Sequence, residues 1–319
     1  QRHDLLRCPR WGTACRQGAG AGMSVRRQLP VALIQMRCAA DPQANLRRAL
    51  EMARQAAQNG AKLICLPELF QSRYFCQSED SAHFALAESV PGPATDAFAA
   101  LAAESDAAIV ISLFERRAAG LYHNTAAVLD GRKGYAGKYR KMHIPDDPRY
   151  YEKYYFTPGD LGFKVFATDA AKLGVLVCWD QWYPEAARLT ALKGAEILIY
   201  PTAIGWHPEE KSRVGERQHA AWETAQRAHA IANGCFVLAI NRTGFEPDPA
   251  GDGGIEFWGQ SFAVAPDGRV LARGPVDAEA IIELELDLDE MEAFRIGWPF
   301  LRDRRIDAYA DITRRFDDL

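Results

Sequence analysis

The feature that most constrains this chain is an echo between its two halves. Gly60-Ala61-Lys62-Leu63-Ile64-Cys65-Leu66-Pro67 and Gly194-Ala195-Glu196-Ile197-Leu198-Ile199-Tyr200-Pro201 share the pattern G-A-x-x-[IL]-x-x-P, and each follows a helix-like segment. In both, an apolar run of strand type begins after the glycine, and a proline closes it because a residue without an N–H cannot extend a sheet ladder. Later in each half, Asp130-Gly131-Arg132 and Asp267-Gly268-Arg269 mark matching hairpin-type turns after apolar strands. A chain that writes helix, strand and hairpin twice is predicted to build two similar helix-backed sheets packed face to face. The expected fold is therefore α/β, a four-layer α-β-β-α sandwich of two mixed sheets with internal pseudo-symmetry in a single domain.

Local signals agree with that plan. Asp41-Pro42 supplies an N-cap and a first-turn proline, Leu46, Leu50, Ala53 and Ala57 recur at helical spacing, and Gly60 stops the helix. Residues 93–105 repeat the pattern with Phe98 and Leu101 and lead into Ile109-Val110-Ile111. Residues 184–193 lead through Gly194 into Ile197-Leu198-Ile199, and a long helix over 213–233 closes on Gly234 before a strand over 235–240. The alternation Ile281-Ile282-Glu283-Leu284-Glu285-Leu286 predicts a half-exposed strand. The Arg- and Asp-rich tail over 291–319, with Trp298-Pro299-Phe300, is too polar to form a core and is expected to pack on the body or on another subunit of a homo-oligomer. Residues 1–22 lack periodicity and precede Met23. They are expected to be a non-native or disordered extension ahead of one domain over 23–319.

Three apolar runs break off at a residue able to do chemistry. Leu173-Gly174-Val175-Leu176-Val177 ends at Cys178, with Trp179-Asp180 next and Pro184-Glu185 opening a helix. A thiol at a strand-to-helix turn has backbone N–H groups beside it that favour both a thiolate and an oxyanion. Leu63-Ile64-Cys65-Leu66-Pro67 presents Glu68 at the carboxyl end of a strand, and Tyr139-Arg140-Lys141-Met142-His143-Ile144-Pro145 sets Lys141 among apolar neighbours. Each has a bland alternative: a small buried hydrophobe, a salt-bridged acid, a snorkelling cation. Together they hold a nucleophile, a base and a positive charge, the three requirements of acyl transfer from an amide-like carbon.

The same stretches match a family. LPELF (66–70), YRKMHIP (139–145) and VCWDQWYPEAAR (177–188) resemble, in order and spacing, the Glu-Lys-Cys signature of the nitrilase, or carbon-nitrogen hydrolase, superfamily. The resemblance is closest to its N-carbamoylputrescine amidase branch, in HIPDDPRYYEKYYFTPGDLGFKVF (143–166) and GAEILIYPTAIG (194–205). It implies the four-layer sandwich, Cys178 as nucleophile, Glu68 as base, Lys141 with the Trp179 backbone N–H at the oxyanion, and Glu152 as a second acid beside Lys141. It also implies a small N-carbamoyl amine as substrate, whose distal ammonium needs an acceptor. Asp146, with Asp147 beside it, is the acid expected to provide one, with Tyr74 and Trp179 as walls. The loop from Ala203 to His207 should add contacts, although Trp206-His207-Pro208 replaces an acidic residue of plant-type members and leaves Glu209 or Glu210 to substitute for it. A β-ureidopropionase, a nitrilase and a catalytically silent binding protein on the same fold are the competing readings.

Composition removes other classes. With 48% apolar and 25% charged residues and a net charge of −4, the chain reads as an ordinary globule without a basic tract for nucleic acid. No uninterrupted apolar run approaches the ~18 residues of a membrane span. The seven cysteines are odd in number and scattered, which suits a reducing compartment and predicts a cytoplasmic protein. Neither closely spaced His and Cys residues nor a phosphate-cradling glycine loop is present, so neither a metal nor a cofactor is expected.

Overall fold

The computed structural model describes residues 27–251 and 253–317, so the expectation for residues 1–22 lies outside the described residues. The first half runs β1 (Gln28–Gln35), α1 (Pro42–Gln58), β2 (Leu63–Cys65), α2 (Pro93–Ser105), β3 (Ala108–Ala118), β4 (Leu121–Asp130) and β5 (Gly134–Arg140). The Asp41 side chain caps α1 by accepting the Gln43 N–H at 2.9 Å, and Gly60 turns the chain toward β2 at φ +102°, in the left-handed region that favours glycine. After the single-turn α3 (Glu152–Tyr155) comes β6 (Val165–Ala167), β7 (Lys172–Val175), α4 (Pro184–Leu192), β8 (Ile197–Thr202), β9 (Gly205–Trp206), α5 (Pro208–Asn233) and β10 (Phe236–Asn241). The chain then adds β11 (Thr243–Pro247), β12 (Gly254–Trp258), β13 (Phe262–Val264), β14 (Val270–Arg273), β15 (Ala280–Asp287) and α6 (Asp289–Gly297). Helix α5 starts at Pro208, earlier than the apolar spacing suggests. A proline is tolerated where the N–H would be unpaired anyway, and Glu209 and Glu210 in the first turn suit the helix dipole.

Two six-stranded sheets carry the echo. Their orders are β15-β1-β2-β3-β4-β5 and β14-β13-β10-β8-β7-β6. In the first, β1, β2 and β3 are parallel while β15, β4 and β5 attach antiparallel. In the second, β7, β8 and β10 are the parallel core and β6, β13 and β14 are antiparallel. The echoed segments are β2 and β8, equivalent strands of the two sheets. Strand alternation assigns the layers: Val31, Leu33, Leu63, Val110 and Val128 join Val175, Ile197, Ile199 and Val237 in one core. Their sequence neighbours Ala32, Ile34, Ile64, Ile109 and Leu129 instead pack with Met52 and Ala53 of α1 and Phe98 and Leu101 of α2. Truncating one of these fully buried aliphatic side chains to alanine costs about 2–5 kcal/mol.

A third, three-stranded sheet, β11-β12-β9, has no counterpart in the sequence reading. It continues from the carboxyl ends of β8 and β10. The tail beyond α6 is largely exposed, with Ile306 at 75% and Phe316 at 79%.

The layers put one set of strand ends together. Because β5 is antiparallel to β4, which is antiparallel to β3, β5 ends at the same edge as the parallel strands. The carboxyl ends of the two sheets are joined there by the Glu68 N–H on the Thr202 carbonyl at 3.4 Å.

Candidate active site

Cys178 follows β7 by three residues and adopts φ +43°, a left-handed conformation that costs an L side chain roughly 1–3 kcal/mol. The surroundings hold it there. A 3-10 turn over Cys178–Trp182 stands between the strand and α4, at the strand-to-helix turn the sequence suggested. Within that turn the Asp180 carboxylate accepts the Val177 N–H at 2.9 Å, the Tyr139 hydroxyl at 2.7 Å and the His143 N–H at 3.0 Å, with His143 Nδ1 at 2.7 Å. Tyr139 and His143 flank Lys141, so Asp180 ties the cysteine turn to the lysine segment. The sulfur is 3.9 Å from the Ala203 carbonyl. Burial pushes the Cys178 thiol well above the usual range; Glu68 adds to that rise and Lys141 opposes it.

Lys141, one residue past β5, is wholly buried between two carboxylates, with Nζ 2.8 Å from Glu68 Oε1 and 2.6 Å from Glu152 Oε2. Asn124 of β4 donates to the same Glu68 oxygen at 2.7 Å, and Tyr74 donates its hydroxyl to Glu152 Oε1 at 2.6 Å. Glu68 Oε2 is buried and has no hydrogen-bond partner among the described residues. Burial works against the Lys141 charge, but Glu152, Glu68 and Cys178 more than offset it and hold the ammonium charged. Glu152 is raised as well, which in an acid favours the neutral form: burial pushes it up, Lys141 pulls it down, and the nearby Glu68 helps burial prevail. One cation thus faces two acids and a thiol in a site without bulk water, an arrangement suited to passing a proton among them.

The site opens into a cleft of about 800 Å³. Cys178, Trp179, Ala203 and Glu152 line its inner part, and Asp147, Arg149, His207, Glu209, Glu210 and Asp248 its mouth. Arg149, also at positive φ (+61°), donates to Glu209 at 2.7 Å and lies 3.1 Å from His207 Nδ1. Of the residues expected to contact substrate, Trp179, Ala203 and His207 line the cleft. Two do not. Asp146 is exposed and lies outside the cleft lining, whereas Asp147, in the turn closed by the Tyr150 N–H on its carbonyl at 2.8 Å, lines the cleft. Tyr74 is 1% exposed and lies behind Glu152, packed edge-on against Phe257, so it orients the acid rather than walling the cleft. The sequence reading missed Asn124, Asp180 and Arg149. Asn124 lies in a polar patch, His123-Asn124-Thr125, of an otherwise apolar strand, a usable signal; Asp180 lies two residues after Cys178; Arg149 carries none. Among the described residues no group of three or more His, Cys, Asp or Glu side chains is placed to hold a metal ion.

Sheets, strained cysteine and buried acid-lysine pairs define a thiol-centred hydrolase class, and comparison with known proteins gives the family. The carbon-nitrogen hydrolase family model matches residues 30–296, and the chain belongs to that family. It is 43% identical over 286 residues to an N-carbamoylputrescine amidase of Solanum lycopersicum, covering 89% of this chain and 94% of the relative. A citrullinase of Francisella tularensis is 39% identical over 289 residues, covering 90% of this chain and 99% of the relative. Among solved structures, a carbon-nitrogen hydrolase from Helicobacter pylori superposes with a TM-score of 0.88 at 48% identity, covering 91% of this chain and all of that one.

Proposed function

We propose that this chain hydrolyses the ureido group of N-carbamoylputrescine to putrescine, carbon dioxide and ammonia, with Cys178 as nucleophile. The observation that carries the chemistry is the unpartnered, buried Glu68 Oε2 in the same enclosure as the Cys178 thiol and the Lys141 ammonium. Glu68 takes the thiol proton as sulfur attacks the ureido carbon. Lys141 and the Trp179 N–H hold the oxyanion, and Glu152 keeps Lys141 charged and aimed. Collapse breaks the bond to the terminal nitrogen, which leaves as ammonia with the proton from Glu68. Water, deprotonated by Glu68, then cleaves the carbamoyl-thioester, and the released carbamate loses carbon dioxide to give the amine.

Substrate choice rests on the mouth. Four carboxylates, from Asp147, Glu209, Glu210 and Asp248, surround one guanidinium, Arg149, so the lining is net negative and suits a distal ammonium. The similarity to N-carbamoylputrescine amidases points the same way. A second reading is favoured by Arg149 itself: beside those acids it offers a carboxylate partner, which suits a ureido compound ending in an α-amino acid, as the likeness to a citrullinase also suggests. Ammonia release across N-carbamoylputrescine, citrulline, N-carbamoyl-β-alanine and a neutral N-carbamoyl alkylamine separates them. The first reading expects N-carbamoylputrescine to lead the carboxylate substrate by on the order of a hundredfold. Equal or faster turnover of N-carbamoyl-β-alanine overturns it.

The protein is further proposed to work as a homo-oligomer in the cytoplasm. The exposed apolar tail, with Ile296, Ile306, Ile312 and Phe316, supports the first, and light scattering tests it. The free state of the five described cysteines supports the second. No described helix is long and apolar enough to cross a membrane.

A further inference from the structure

We propose that Arg242 and Glu246, outside the cleft, are positioning residues that hold the base Glu68 and the second acid Glu152 in register through one closed ring of hydrogen bonds. The inference rests on the catalytic reading above. Arg242 follows β10 and is wholly buried. Its Nη2 donates to the carbonyls of Glu68 at 2.7 Å and Leu69 at 3.0 Å, and its Nη1 to the Ser72 carbonyl at 3.0 Å and Glu246 Oε1 at 2.9 Å. The other Glu246 oxygen accepts the Tyr74 N–H at 2.5 Å. From Tyr74 the ring continues through its hydroxyl to Glu152, through Lys141, and back to Glu68.

The need for such a pair follows from where Glu68 sits. Beyond β2 the chain enters a buried loop in which Leu69 takes φ +49°, so the loop carbonyls have no sheet partners and the backbone is strained. A guanidinium satisfies three of those carbonyls with one rigid, planar fork, which an ammonium on a flexible stem cannot do. The buried cation in turn requires a carboxylate, and Glu246, four residues on in β11, supplies it while fastening the amide of Tyr74. Burial works against the Arg242 charge, and Cys38, Glu246 and Glu68 more than offset it, so the pair and the base share one electrostatic enclosure. Both acids of the site are thereby hung from a single pair that touches no substrate.

The test compares Glu246→Gln, Arg242→Met and the double variant R242M/E246M with Cys178→Ala as control, reading kcat, KM, the pH profile of kcat/KM and thermal stability. The double variant leaves no buried charge unpaired and is expected to stay folded, yet to lose about a hundredfold in kcat with KM unchanged, the scale of a small misplacement of a catalytic group. The single variants carry a sign. In Glu246→Gln the unopposed Arg242 cation favours ionised carboxylates, so the acid limb moves to lower pH; in Arg242→Met the unopposed Glu246 moves it to higher pH. If Arg242→Met does not fold, Glu246→Gln and the double variant carry the test. A folded double variant with wild-type kcat, or a Glu246→Gln enzyme with an unmoved acid limb, reduces the pair to a structural contact and overturns the proposal. Persisting turnover in Cys178→Ala would instead sink the catalytic reading, so the two failures are distinguishable.

Discussion

At the floor of the cleft Lys141 is wholly buried between Glu68 and Glu152, at 2.8 and 2.6 Å, whereas at the mouth Arg149 reaches Glu209 at 2.7 Å with the Glu209 side chain 61% exposed. The distances are nearly the same and their consequences differ. On the floor, removing one partner strands a charge away from water, a loss of about 3–5 kcal/mol, so the groups are fixed in number and place. At the mouth, water screens the pair, and side chains there can be exchanged with little effect on the fold. On the proposed mechanism, chemistry that must be the same in every turnover is assigned to the floor, and discrimination among substrates, which a few residues can retune, to the rim.

Substitutions on the floor should be the most damaging. Cys178→Ala is expected to abolish ammonia release while the protein stays folded, since one small sulfur contributes little packing; a thiol reagent should then leave no adduct at the active site by mass spectrometry. Lys141→Arg keeps the charge and is still expected to lose on the order of a thousandfold in kcat, because a planar guanidinium cannot occupy the space of a compact ammonium between two acids. Activity within a few-fold of wild type would erase the distinction between floor and mouth.

Mouth substitutions should act on one substrate and spare another. Asp147→Asn is expected to lower kcat/KM for N-carbamoylputrescine about tenfold through KM, leaving a neutral N-carbamoyl alkylamine unaffected. Arg149→Gln is expected to leave that amine substrate within a few-fold and to suppress any turnover of citrulline; unchanged turnover of citrulline would remove Arg149 as the carboxylate partner on which the amino-acid reading rests. A fall in kcat for all substrates would mean that the rim shares the work of the floor.

The smallest effect concerns acid stability, and it extends the contrast to the charge cluster beside Lys141. Burial pushes Glu115 up, but hydrogen bonds from Arg140, Lys138 and Thr125 more than reverse it and bring it down to about 2. Its folded value lies below its unfolded one, so its stabilisation is present above the ordinary carboxylate range and is lost as pH falls from there toward about 2. Glu115→Gln should therefore flatten the drop in Tm between pH 5 and 3, as measured by calorimetry, whereas substitutions at the exposed Glu209 should not.

The periodic and punctuated parts of this molecule were legible in its residues. Asp41-Pro42 and Gly60 bound a helix because capping and proline stereochemistry are local, and the echo of residues 60–67 in 194–201 predicted equivalent strands because alternation and a closing proline need no knowledge of the rest of the chain. Glu68 and Cys178 stood out for the same reason, each ending an apolar run, and Lys141 as a cation set among apolar neighbours. Their meeting was left to the tertiary structure. Glu152 is 11 residues from Lys141 and Asn124 is 56 from Glu68, and only the stacking of two sheets with strand ends at one edge brings them within hydrogen-bond reach. The lining of the cleft by Asp147 rather than Asp146, the retreat of Tyr74 behind Glu152, and the Arg242–Glu246 pair were likewise beyond the sequence. Each depends on which way a loop residue faces, which is set by long-range packing and by the need to pair buried polar groups, whereas helix and strand periodicity is set by the backbone itself.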